Sequence, residues 1–152
     1  MAHVRHELHI DAPIEHAFDL LLDAKRWPEW MSGGMEVKEV TGPLDQVGSK
    51  VREESAFLGR RMESITEIVE VERPHLFKMV GESAGVTYHG TIRFTEAGTG
   101  TDAVMESEYD LPAGFLGHIA DRLFIERTME REMRHNAENF KALAEAKVPA
   151  LV

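Results

Sequence analysis

Between Pro112 and Pro149 the chain contains no proline, and its glycines in that span, Gly114 and Gly117, sit only at the front. The rest of the stretch is dominated by Ala, Leu, Glu, Lys, Arg and Met, all strong helix formers. A helix over 113–147 would run ~50 Å at ~1.5 Å per residue, and such a helix draws most of its stability from what packs along it. At ~100° per residue, Phe115, Ile119, Met133, Ala137, Phe140 and Ala144 fall on one apolar stripe. Between Ile119 and Met133 the same face carries Arg122, Glu126 and Glu130. A second apolar strip, Leu116, Ala120, Leu123 and Phe124, exists only in the front half. The pattern predicts a helix whose back half is clamped to a core and whose front half covers something else. The two glycines weaken that front half, so amide exchange is expected to be faster over 113–123 than over 133–143.

The chain before it reads as strands. Val4, His6, Leu8 and Ile10 alternate with His3, Arg5, Glu7 and His9, which predicts a strand with His6 pointing inward. Pro13 then opens a short amphipathic helix carrying Ile14, Ala17, Phe18 and Leu21. Trp27-Pro-Glu-Trp30 follows as a tight turn or second short helix, with at least one indole buried. Six strands are expected next: 35–41, 49–57, 60–71, 75–81, 86–95 and 101–109, separated by Gly and Pro signals. On the last two the expected inward residues are Tyr88, Gly90, Ile92 and Phe94, and Ala103, Met105, Ser107 and Tyr109. The fold class is therefore α+β: a curved seven-stranded antiparallel sheet around a long C-terminal helix, with two short helices after the first strand. A sheet of that size with one buried face curls, and one helix cannot fill the whole concavity. One domain is expected over 1–147, with 148–152 as a flexible tail.

Charge and composition narrow the function classes. Acidic residues outnumber basic ones 27 to 17, for a net charge of −10, which disfavours nucleic-acid partners and anionic membrane surfaces. There is no cysteine, so disulfides and thiolate chemistry are excluded. No apolar run approaches membrane-spanning length and the N-terminus lacks an apolar signal core, so a cytoplasmic protein without stable membrane insertion is expected.

Ile10-Asp-Ala-Pro13, Ala17-Phe18 and Trp27-Pro-Glu-Trp30 resemble the opening of the polyketide cyclase/dehydrase and lipid-transport family, within the START-like (SRPBCC, helix-grip) superfamily. Gly42-Pro43 with Val47-Gly48, the stretch from Glu67 to Pro74, Gly98-Thr-Gly-Thr101 and the C-terminal helix match in order. The resemblance implies a seven-stranded sheet gripping a helix around a hydrophobic cavity. It also implies a role among binders of lipids, quinones and polyketides, with some enzymes.

Candidate chemistry can be weighed residue by residue. His3, His6 and His9 are three apart, which alternates faces on a strand and prevents convergence on a metal; no metal site is expected. Ser107 lacks a nucleophile elbow and reads as a small residue making room. Glu126 and Glu130 are the carboxylates expected to face the sheet, where burial raises a pKa and enables acid–base work. Pairing of Glu126 with Arg122, and of Glu130 with Arg134, is the structural alternative. Met62, Met79, Met105, Met129 and Met133 fit either an adaptable pocket or plain core. No phosphate-binding glycine loop or dinucleotide fingerprint is present, so no cofactor is expected. The expected ligand-binding set is His6, Tyr88, Ile92, Met105, Ser107, Tyr109, Phe115, Ile119, Glu126, Met129 and Met133, with no catalytic residue assigned. Three functions remain open: binding of a hydrophobic small molecule, aromatase/cyclase or dehydratase catalysis, and protein interaction through the 116–124 strip. The last includes a homodimer.

Overall fold

The structure, a computed structural model, describes residues 2–57, 59–83, 85–110 and 119–146; side chains are described for all of these except 57 and 119–122. Strand β1 (Ala2–Ile10) leads into helix α1 (Ile14–Leu22), a single 3₁₀ turn (Ala24–Arg26) and the short helix α2 (Trp27–Trp30). Six strands follow: β2 (Glu36–Val40), β3 (Lys50–Phe57), β4 (Arg60–Glu72), β5 (Leu76–Ser83), β6 (Val86–Ala97) and β7 (Gly100–Asp110). Helix α3 (Ile119–Glu145) closes the described chain. It is continuous through Glu126, whereas its expected beginning at 113 lies outside the described residues. Most of the segment expected to exchange fastest lies there too.

All seven strands join one antiparallel sheet in the order β1-β7-β6-β5-β4-β3-β2. Consecutive strands from β2 to β7 are hairpin neighbours, and β1 pairs with the last of them. Because β1 and β2 are opposite edges, the segment 11–35 must carry the chain from one side of the sheet to the other. Its two short helices do this while burying Phe18, Leu21, Trp27 and Trp30. Both indoles are buried, and Trp27 Nε1 donates to the Leu21 carbonyl at 2.9 Å. Register shifts between Val37 and Glu39, and between Ile68 and Glu70, add local twist of the kind that lets a sheet bend.

The core forms where the back half of α3 meets the sheet and the short helices. Ala137, Phe140 and Ala144 are buried there, as the apolar stripe predicts. Phe140 stacks on Phe94 with ring centroids 6.0 Å apart and meets Trp30 edge-on at 5.1 Å. Phe18 joins the cluster against Phe94 and Phe77. Ala103 belongs to this core. Polar ties fix the same end: Lys141 Nζ donates to the His9 carbonyl and to Glu145 at 2.6 Å each, and Glu145 accepts the Asp11 amide. Further forward, Ile125 and Met129 pack on Ala2 and Val4, the outer end of β1. Leu123 and Phe124 are exposed on the other side of the helix. No helix among the described residues is long and apolar enough to cross a membrane.

Phe140 has no exposed surface and touches two other rings. Phe140→Ala should cost about 3–5 kcal/mol of folding free energy, read from denaturant unfolding. A loss below about 1 kcal/mol would mean that the ring is not a core anchor.

Candidate functional site

Between the inner face of the sheet and the 125–136 stretch of α3 lies a cavity of about 250 Å³. Its wall draws on α2 and the loop after it, on strands β3 to β7 and on α3. Trp27, Trp30, Met31, Ser32 and Met35 contribute from α2 and the loop behind it; Glu53 and Ser55 from β3; Met62 and Ser64 from β4; Met79 and Ser83 from β5. Tyr88, Gly90 and Ile92 of β6, Met105, Ser107 and Tyr109 of β7, and Ile125, Met129, Glu132, Met133 and Asn136 of α3 close the opposite side. Every methionine of the chain except Met1 is in this wall. The small residues Ser55, Ser64, Gly90 and Ser107 alternate with the bulky ones, so the inner faces do not meet.

One polar line crosses the wall. Strand pairing sets Tyr109, Tyr88, Gly81, Thr66 and Val51 in a row across five strands. The Tyr88 ring lies over Gly81, where any side-chain carbon would overlap it, and so reaches past β5. Its hydroxyl sits 2.6 Å from Thr66 Oγ1, and Thr66 Oγ1 donates to Glu53 Oε1 at 2.8 Å. The threonine has one hydroxyl proton and gives it to the carboxylate, so Tyr88 is the donor to Thr66. Glu53 is 2 % exposed, and its second oxygen, Oε2, has no hydrogen-bond partner among the described residues. Trp30 Nε1, in the same wall, is likewise buried without a partner.

Burial dominates the acid–base character of the site. It pushes the Glu53 carboxyl up to about 7, with the Thr66 and Tyr88 hydroxyls opposing it. It raises Tyr88, reinforced by the nearby Glu53 charge, and raises Tyr109, against a hydrogen bond from Ser107. Glu132 is raised by burial, with Arg131 pulling the other way. A carboxyl with a pKa near neutrality and one uncommitted oxygen can accept, hold or return a proton at physiological pH.

The residues expected from sequence are placed as follows. Tyr88, Ile92, Met105, Ser107, Tyr109, Met129 and Met133 come together in the wall. His6 is half-buried on β1 opposite Met105 and is not among the lining residues; β1 lies under α3, which seats on it through Ile125 and Met129. Glu126 is half-buried outside it, and Glu130 is exposed. The front half of α3 is turned by about one residue from the expected face, because Ile125 and Met129 seat on Ala2 and Val4; Glu132 and Asn136 are the polar groups that reach the cavity from the helix. Phe115 and the Ile119 side chain lie outside the described residues. His3 and His9 point outward to Glu106 and Asp102, at 3.1 and 2.7 Å. Glu53 and Thr66 were not anticipated, although a signal exists: Val51, Glu53 and Ser55 share one strand face, and Val51 is plainly apolar.

The profile of the family described as "Polyketide cyclase / dehydrase and lipid transport" matches residues 1–145. The chain belongs to that family. No curated protein matches it. Among solved structures, it superposes on TTHA0849 from Thermus thermophilus with a TM-score of 0.75 at 20% identity, covering 95% of this chain and 99% of that one. A conserved protein from Geobacillus kaustophilus gives 0.75 at 12% identity, over 93% and 94% of the two chains. The di-domain ARO/CYC BexL from the BE-7585A biosynthetic pathway gives 0.73 at 21% identity, over 96% of this chain and 50% of that one. These likenesses establish a shared fold.

The raised Glu53 pKa has a definite consequence for stability. The folded carboxyl binds its proton more tightly than the unfolded one, at about 7 against the ordinary 4.5. Its contribution therefore falls as pH rises from about 4.5 to about 7, by roughly 3 kcal/mol, and is flat above. Glu53→Gln should match the parent near pH 4.5 and exceed it by roughly 1–3 kcal/mol at pH 8. A stability difference that does not change between those pH values would show that the carboxyl is not buried.

Proposed function

We propose that this protein binds a hydrophobic small molecule, of the lipid, quinone or polyketide-like class, between its sheet and its C-terminal helix. The observation that carries the reading is the methionine wall. Met31, Met35, Met62, Met79, Met105, Met129 and Met133 surround one space. Thioether side chains are flexible and polarisable, and they suit a site that adapts to an apolar guest. An apolar chamber with a few converging polar groups is the usual form of a small-molecule site. Membership of a family described by polyketide cyclisation and lipid transport supports the same class of ligand.

A second reading, turnover of such a ligand by a cyclase- or dehydratase-type acid–base reaction, is favoured by Glu53. In this reading Glu53 takes the acid–base role that the sequence suggests for Glu126; what supports it is that Glu53 Oε2 has no hydrogen-bond partner among the described residues and that burial pushes the carboxyl up to about 7. Binding comes first in both readings, so binding is what should be tested.

Ser107 and Ser55 enter the cavity from different strands. Ser107→Phe and Ser55→Phe should each abolish uptake of 1-aminoanthracene, followed by its fluorescence, while the protein still melts cooperatively. Unchanged affinity in both folded variants would remove the cavity from consideration. Native mass spectrometry of freshly purified protein gives an independent reading: a co-purified apolar molecule supports binding, and a clean ligand-free dimer points to an interaction role.

A further inference from the structure

Two buried polar atoms of cavity-lining residues lack hydrogen-bond partners among the described residues, and they are of opposite kind. Glu53 Oε2 accepts hydrogen bonds, and Trp30 Nε1 can only donate. Each belongs to a residue that is at most 3 % exposed. Leaving such atoms unpaired is costly, and buried polar groups in folded proteins are nearly always paired. Nothing in the packing forces the carboxyl to be there. Val51, two residues back on the same strand face, is apolar and fully buried, and a methionine at 53 would match its neighbours. The carboxyl is instead held in place: Thr66 fixes Oε1, Tyr88 fixes Thr66, and Gly81 makes room for the Tyr88 ring. That relay consumes one oxygen of the carboxyl and leaves the other uncommitted. The remaining wall is largely thioether and aromatic, and Glu132 adds a second carboxyl from the helix. An anionic ligand group beside Glu53 would meet charge repulsion, and no arginine or lysine side chain lines the cavity among the described residues.

We infer that the cavity selects an uncharged ring compound bearing a hydroxyl, which donates to Glu53 Oε2 while an oxygen of the same molecule accepts the Trp30 indole N–H. This rests on the cavity being a ligand site and adds to it the polar chemistry of the ligand and the residues that read it. The Thr66–Tyr88 pair acts as a positioning unit, orienting the carboxyl.

Three matched probes separate the two layers: naphthalene, 2-naphthol and 2-methoxynaphthalene, each titrated by calorimetry into the full chain. 2-Naphthol should bind about tenfold more tightly than 2-methoxynaphthalene, whose oxygen cannot donate. In Glu53→Met that preference should vanish, with naphthalene binding retained or improved. Trp30→Phe should reduce the affinity for 2-naphthol and leave that for naphthalene within about twofold. Equal binding of all three probes to the unaltered protein would overturn the polar selection while leaving the apolar cavity standing. The same holds if the preference survives in Glu53→Met. Failure of any probe to bind would overturn both the selection and the cavity as a ligand site. The comparison among probes on the unaltered chain decides the matter even where a variant does not fold.

Discussion

Phe140 is the contact on which the rest of the architecture depends. It lies flat against Phe94 of the sheet and receives the edge of Trp30 from α2, so one ring joins all three layers. Aromatic pairs of this kind add to the burial of their area. They also fix the position of the helix: once Phe140 is seated, Ala137 and Ala144 bring the helix backbone close to the sheet on either side. One turn earlier, Met133, Glu132 and Met129 occupy the corresponding face, and across from them the strands offer Gly90, Ser107 and Ser64. Forward of residue 137 the helix stays packed on β1 through Ile125 and Met129, and the cavity opens beside it, over the middle strands.

The cavity's polar line is expensive to maintain. Burying a carboxylate that has only one good hydrogen bond works against folding, and an apolar residue at position 53 would relieve the cost. Three further positions are committed to holding it. Thr66 is wholly buried, Tyr88 spreads across a neighbouring strand, and Gly81 gives up a side chain so that it can. Local stability sacrificed by several cooperating residues is the usual mark of a functional site. In this chain the sacrifice is concentrated on one wall of one cavity.

The fold was legible in the sequence because each element carries a strong periodic signal. Alternation marked β1, β6 and β7, and it placed Tyr88, Ile92, Met105, Ser107 and Tyr109 on the inner face. The helix stripe found Ala137, Phe140 and Ala144. The site was less legible, for two physical reasons. A helix face read at ~100° per residue accumulates error, and a one-residue drift over the front half exchanges Glu126 for Ile125 as the buried residue. A charged residue within a strand is, in most proteins, a solvent-facing one. Glu53 follows Arg52 and precedes Glu54, so the local chemistry disguises the fact that it shares a face with Val51. Only cross-strand pairing, with Thr66 and Tyr88 coming from elsewhere in the chain, shows that the carboxyl has been provided for. His6 shows the opposite error: its inward register was right, but α3 seats directly on β1 through Ile125 and Met129, and His6 is not among the residues that line the cavity.

The claim that the methionine-lined space holds a small apolar molecule can be tested without knowing that molecule. Protein labelled with ¹³C at the methionine methyl groups offers seven reporters in the wall: Met31, Met35, Met62, Met79, Met105, Met129 and Met133. Titration with 1-aminoanthracene should shift most of these methyl resonances together and saturably, with direct magnetisation transfer from probe protons to Met79, Met105, Met129 and Met133. Methyl resonances that stay in place while the probe binds, or transfer confined to residues outside the wall, would contradict it.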